Sequence, residues 1–283
     1  MIYKFLRICL LGDPNVGKST FFNSLIGYKV SIITRKQHTT RNIVEGIFQK
    51  KNTQLLFVDT PGYLSNPFHL IEKKIAYKAL REIKKSNFIC IILDVTKINC
   101  FNTPLLRVKL YLKKFSNIII ILNKIDLLKN KNILLNYINK IKIIPIRCVF
   151  FISAKYNNGI YEFQNYLLNN SFITKYDYKK NNLTNMSKQK LSEDITREKL
   201  YKYYNQEIPY NLFVKTKFWK EKKNIILIYQ IIYVLEKNQK KLIIGNKGLK
   251  IQKIRIKSIY DITRICNKKI SLKILVKVKH SIL

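Results

Sequence analysis

Lys18 and Ser19 close the string Gly12-Asp13-Pro14-Asn15-Val16-Gly17-Lys18-Ser19, which has a glycine at each end of the loop that precedes them. A loop of this composition lets backbone N–H groups converge on an anion, and the lysine adds a mobile positive charge. Lys18 suits the β- and γ-phosphates of a nucleoside triphosphate, and the Ser19 hydroxyl suits the Mg²⁺ that accompanies them. Thr20 follows at the start of a helical pattern and completes the phosphate-contacting set. This loop specifies a nucleoside triphosphate but no base.

The base is chosen farther along the chain, at Asn123-Lys124-Ile125-Asp126. The Asp126 carboxylate can accept from guanine N1–H and from the exocyclic amine, while Asn123 meets the other edge of the base and Lys124 lies between them. Adenine has an acceptor at N1 and no amine at C2, so it would leave Asp126 charged and unpaired. Ser153-Ala154-Lys155 adds a backbone N–H within reach of guanine O6. Between these sets lies Asp59-Thr60-Pro61-Gly62. Asp59 suits a water-mediated contact to Mg²⁺, and the Gly62 N–H suits the γ-phosphate. Upstream, Thr39-Thr40-Arg41 supplies a threonine for Mg²⁺ when the γ-phosphate is present, with Thr40 assigned and Thr39 the alternative. Loops held by a γ-phosphate and released on hydrolysis make a switch, and Tyr63 belongs to that set.

These groups need a frame that brings them to one edge. Apolar runs precede each of them, at 8–11, 55–58, 118–122 and 149–152, and each run reads as a buried strand. Ligands bind at the carboxyl ends of such strands in an open parallel sheet. The expected class is therefore α/β, a P-loop G domain over 1–170 with a mostly parallel sheet and helices on both faces. Residues 171–194 are polar and aperiodic and read as a linker. Residues 195–283 then give a helix, strands at 210–217 and 224–235 joined at 220–223, a helix reaching about 264 and a last strand at 269–279. Ile244-Gly245-Asn246-Lys247-Gly248-Leu249-Lys250 resembles the G-x-x-G loop of a KH domain, in which glycines let the backbone approach a nucleic acid. Ile244, Gly245, Asn246, Lys247, Gly248 and Lys250 are the candidate RNA contacts.

Composition bounds the partners. The chain has 54 Lys+Arg against 16 Asp+Glu in 283 residues, a net charge of +38. An excess of Ile and Asn with three alanines suggests a bias toward AT-rich codons, which accounts for part of that charge. The 27 basic and 8 acidic residues of 1–170 recur in the shorter 171–283, so a polyanion is expected there. Only eight glycines are present, and five fall within the motifs above, where backbone geometry demands them. Five scattered cysteines suggest reduced thiols in a cytosol. The longest apolar stretch falls short of the ~18–20 residues that span a bilayer, and no export leader is read.

The strings Pro-Asn-Val-Gly-Lys-Ser-Thr, Gln-His-Thr-Thr-Arg and Asp-Thr-Pro-Gly resemble the Era family of ribosome-assembly GTPases, as do Ile195-Thr-Arg-Glu-Lys199 and Glu207-Ile-Pro-Tyr210. The resemblance covers nearly the whole chain. It implies a GTP-hydrolysing switch with a type II KH domain that binds small-subunit (16S) ribosomal RNA and the 30S precursor, and so assists 30S assembly and rRNA maturation. It also implies a monomer in the cytoplasm, with part of it peripheral at the inner face of the plasma membrane. Tyr63 stands where many GTPases place a water-orienting glutamine, so slow intrinsic turnover is expected. Asn15 resembles the asparagine by which potassium-dependent relatives hold K⁺, a candidate stimulator beside RNA. Two alternatives stay open: a tRNA-modification GTPase with a similar G domain, and an RNA-binding scaffold whose nucleotide site is purely regulatory.

Overall fold

The computed structural model describes residues 3–31, 43–60, 70–97, 117–128, 134, 146–174, 184–204 and 212–279. The chain divides into two compact units at Asn185 and Met186.

The first unit is built on a seven-stranded sheet. Its strands are β1 (Lys4–Gly12), β2 (Val44–Lys50), β3 (Thr53–Asp59), β4 (Phe88–Asp94), β5 (Ile118–Asn123), β6 (Cys148–Ile152) and β7 (Phe172–Ile173). The order is β2-β3-β1-β4-β5-β6. β1, β3, β4, β5 and β6 run parallel, and β2 is antiparallel to β3. β4 meets β1 only from Ile8 onward, which leaves Lys4 and Phe5 to pair antiparallel with β7. β4 and β5 are buried along their whole length, as near-continuous apolar runs covered on both faces must be. The unit's described helices are α1 (Lys18–Ile26), α2 (Leu70–Lys85) and α3 (Ile160–Asn169), with a short helical turn at Ile125–Leu127. Phe163 of α3 packs on Phe21 of α1 at 5.4 Å and on Phe150 of β6 at 5.2 Å between ring centroids.

The second unit opens with α4 (Lys188–Tyr203), followed by β8 (Phe213–Glu221), β9 (Ile225–Val234), α5 (Lys237–Ile244), α6 (Leu249–Cys266) and β10 (Lys269–Val278). Its sheet has the order β10-β9-β8, with β9 parallel to β10 and antiparallel to β8. A bulge between Thr216 and Phe218 carries β8 on to Glu221, so the expected connection at 220–223 is shorter than read. The short helix α5 leads from β9 into the Gly245–Gly248 turn.

The linker expected over 171–194 is replaced at both ends by regular structure. Phe172 and Ile173 join the first sheet. Ser187 caps α4, its side chain accepting from the Lys190 N–H, so this helix begins well before Ile195. α4 lacks an apolar period because four of the side chains it buries are polar, namely Ser192, Asp194, Thr196 and Glu198. The two hydroxyls meet Gln230, which is fully buried: Thr196 Oγ1 donates to Gln230 Oε1 at 2.7 Å, and Gln230 Nε2 donates to Ser192 Oγ at 3.0 Å.

Candidate functional site

β1, β3, β5 and β6 deliver their carboxyl ends to one edge of the parallel sheet, and there the sequence motifs meet. The loop from Gly12 to Gly17 leaves β1 and enters α1. Gly17 has φ 97°, and a Cβ there would stand 2.4 Å from Asn123 Nδ2, so only glycine fits. Asn15 also has positive φ, 65°, a conformation asparagine tolerates better than most residues. Lys18 turns back across the loop, and its Nζ donates to the carbonyls of Gly12 at 2.7 Å and Asp13 at 2.8 Å. Burial lowers the Lys18 pKa to about 8, although the nearby Asp59 and Asp13 carboxylates oppose the fall.

Asp59, at the end of β3, has no exposed surface. Its Oδ2 accepts from Ser19 Oγ at 3.1 Å and from Ser31 Oγ at 2.8 Å. Its Oδ1 is buried without a hydrogen-bond partner among the described residues. Burial pushes the Asp59 carboxyl up, against the pull of Lys18 and the two serines. A buried carboxylate oxygen left open beside a helix N-terminal serine suits a hydrated divalent cation. Thr60 holds the strand end in place, its Oγ1 donating to the Leu10 carbonyl at 2.7 Å.

Asn123 is the knot of the site. Its Nδ2 donates to the Val16 carbonyl at 2.9 Å, and its Oδ1 accepts from the Ala154 N–H at 3.1 Å. The side chain that sequence reading assigned to the base edge thus also ties the phosphate loop to the Ser153–Lys155 turn. Lys124, held at φ 69°, reaches the Asn15 carbonyl at 2.8 Å and Asp94 Oδ2 at 2.5 Å. Burial alone would raise the Asp94 carboxyl, but hydrogen bonds from Lys124 and Thr96 hold it below its usual value. Asp126 is exposed on a short turn, where its Oδ1 accepts from Ser153 Oγ at 2.6 Å. Ser24 of α1 fastens the same turn by donating to the Ala154 carbonyl at 2.8 Å, while Lys155 is exposed.

Thr39, Thr40, Arg41, Pro61, Gly62 and Tyr63 lie outside the described residues, as does Glu207-Ile-Pro-Tyr210. Ser31 belongs to the site although no motif marks it. It is 3% exposed, and Asn23 clamps it by accepting from the N–H groups of Val30 and Ser31 and donating to the Ser31 carbonyl. A lone serine beyond a helix carries no signal that it will meet an aspartate 28 positions away.

In the second unit the Gly245–Gly248 turn joins α5 to α6. Gly245 combines φ 71° with ψ 179°, a region open to glycine alone, and Gly248 is left-handed at φ 75°. Asn246, Lys247 and Lys250 are exposed, and Ile244 is half-buried behind them. Tyr204, at the end of α4, supports the turn by donating its hydroxyl to the Ile243 carbonyl at 2.9 Å. Beside the turn, a cleft of about 420 Å³ runs between α6 and the edge of β10. It is lined by Ile251, Gln252 and Arg255 from the helix, by Lys273, Ile274 and Leu275 from the strand, and by Tyr229. Arg255 and Lys273 were not singled out in the sequence because lysine and arginine are everywhere in it.

The family model described as 50S ribosome-binding GTPase matches residues 7–124, and the KH domain model matches residues 207–282. The chain is 32% identical to GTPase Era of Mesorhizobium japonicum over 277 residues, which is 97% of this chain and 88% of that protein. It is 35% identical to GTPase Era of Rickettsia prowazekii over 268 residues, or 91% and 86% of the two chains. Among solved structures it resembles Era in complex with MgGDPNP and nucleotides 1506–1542 of 16S ribosomal RNA. That match has a TM-score of 0.88 and 27% identity, covering 98% of this chain and 94% of the other.

Proposed function

Because the chain belongs to the Era family of GTPases, we propose that it is a GTP-hydrolysing switch that binds 16S ribosomal RNA and assists 30S subunit assembly. The observation that carries the nucleotide half is Asn123, which locks the phosphate loop to the Ser153–Lys155 turn. Within it, Asp126 pairs with the two guanine donors, and its bond to Ser153 orients the carboxylate. Lys18 leaves the two loop carbonyls for the β- and γ-phosphates, joined by the backbone N–H groups of 13–20. Ser19 and Thr40 would hold Mg²⁺, with Asp59 acting through water. When bound, the ion would supply positive charge to the phosphate oxygens.

The second half rests on the Gly245–Gly248 turn, where Lys247 is exposed in the turn and Lys250 is exposed in the first turn of α6. The relative solved with RNA has the same fold over the whole chain length, which supports the same use of this unit. We divide the chain into a G domain over 1–170, a connecting segment and a KH type II domain, with α4 counted in the latter. Among the described residues no helix is long and apolar enough to cross a membrane. The basic surface suits a peripheral meeting with anionic lipid, and the protein is otherwise read as a cytoplasmic monomer. Tyr63 cannot orient water as a glutamine does, so turnover is slow until RNA binds; K⁺ held at Asn15 would add positive charge beside the phosphates.

Single-turnover hydrolysis of GTP tests the reading. The rate is expected to rise at least tenfold on adding a fragment from the 3′ end of 16S RNA, and to be higher in K⁺ than in Na⁺. Lys18→Ala is expected to abolish it. An RNA-independent, undetectable rate in the parent protein would leave only a regulatory nucleotide site, and equal rates in the two salts would remove K⁺.

A further inference from the structure

β9 departs from the pattern of a strand with one wet face. Its inward residues Ile226, Ile228, Ile232 and Val234 enter the unit's two apolar cores, where they meet Ile195, Leu200, Ile243, Ile254 and Ile262 of the helices. The residues that point away from those cores are Ile225, Leu227, Tyr229 and Tyr233, each half-buried, and Ile231, which is 5% exposed; they bring no polar group but two phenols. A sheet face turned to water ordinarily alternates into polar side chains.

The register shows what flanks this stripe. On β10, Lys269 stands beside Ile225, Lys273 beside Tyr229 and Lys277 beside Tyr233. On β8, Lys215 stands beside Ile231 and Lys220 beside Leu227. An apolar stripe with two tyrosines therefore lies between two rows of lysines, and at its margins Phe218 is 48% and Leu275 40% exposed. Among the described residues, no acidic side chain stands on this face. Two lysine rows select a polyanion, and a stripe of rings between them selects one that also offers flat apolar faces. Unpaired RNA has both, since its bases stack on aromatic side chains while its phosphates pair with cations. The stripe is also continuous with the cleft beside the Gly245–Gly248 turn, because Tyr229, Lys273 and Leu275 belong to both.

We propose that the outward face of the β8-β9-β10 sheet is a second RNA surface, which receives the strand leaving the cleft and stacks its bases on Tyr229 and Tyr233. The phosphates of that strand pair with the lysine rows of β8 and β10. The inference rests on the reading that the cleft binds RNA.

The test titrates the full-length chain with fluorescein-labelled oligoribonucleotides, one of about four nucleotides, enough for the cleft, and one of about twelve. Lys215→Gln/Lys220→Gln and Tyr233→Leu are each expected to weaken the long RNA about tenfold and leave the short one unchanged. Lys250→Gln weakens both. Unchanged binding of the short RNA shows that each variant is folded, and Tyr233→Leu keeps the apolar bulk while removing the ring. Long-RNA affinity equal to the parent's in both variants overturns the second surface and leaves the cleft reading intact. Failure of the parent protein to hold either RNA overturns both. Parent-like affinity for the long RNA, with loss of binding to phosphatidylserine vesicles, overturns the proposal in favour of a membrane.

Discussion

Lys18 holds its ammonium against two carbonyls in a nearly closed site, and its pKa falls from 10.5 to about 8. Between those values the unfolded chain binds more protons than the fold, so the stability of the nucleotide-free protein rises with pH there. Phosphates restore the charged form, and nucleotide binding above pH 8 therefore takes up a proton. GDP affinity is expected to be flat up to about pH 8 and then to fall by up to about tenfold per unit. Calorimetry in buffers of different ionisation enthalpy should show near-zero proton uptake at pH 7, rising toward one at pH 9. Equal proton uptake at both would refute the assignment. At this scale the sequence was informative about identity more than about linkage. Asp59 and Asn123 stand at the expected strand ends, and Lys18 and Asp126 follow strands β1 and β5 by a few residues, because short motifs follow buried runs. The partners that lock them, Ser31 and the Val16 carbonyl, come from contacts that no spacing encodes.

Elements were legible where their burial is apolar. β4 and β5 announce themselves as unbroken apolar runs, and α6 by its isoleucines. The start of α4 reads as linker because the helix buries two hydroxyls against Gln230 and two carboxylates paired with Arg197 and Lys202, and hydrophobic periodicity is blind to such a face. The same polar core makes a stability prediction. Thr196→Val removes the donor at 2.7 Å from Gln230 Oε1 and is expected to cost ~1–3 kcal/mol in urea unfolding of the second unit. Adding Gln230→Leu should cost less than the two changes summed, since the second substitution removes the group left unsatisfied. Strict additivity would mean that Thr196 and Gln230 are not energetically coupled.

For the whole molecule, the charge of +38 raises the question of whether RNA is held by particular cations or by a diffuse field. Lys247, Lys250, Arg255 and Lys273 at the turn and cleft give about four phosphate contacts, and so a slope of log K against log salt near −3 for a short single strand. A much steeper slope would assign binding to the general lysine excess. The path between the units carries a further consequence. Before entering α4 the chain is fastened to β2: Thr184 bridges Gly46 and donates to the Glu45 carbonyl at 2.6 Å, while Asn185 donates to the Glu45 carboxylate at 2.9 Å. Glu45 also grips Arg7 of β1, which holds Glu82 of α2 in turn. Mechanical load on the second unit is therefore delivered first to β2, the edge strand that begins at Val44, just beyond the residues proposed above to sense the γ-phosphate.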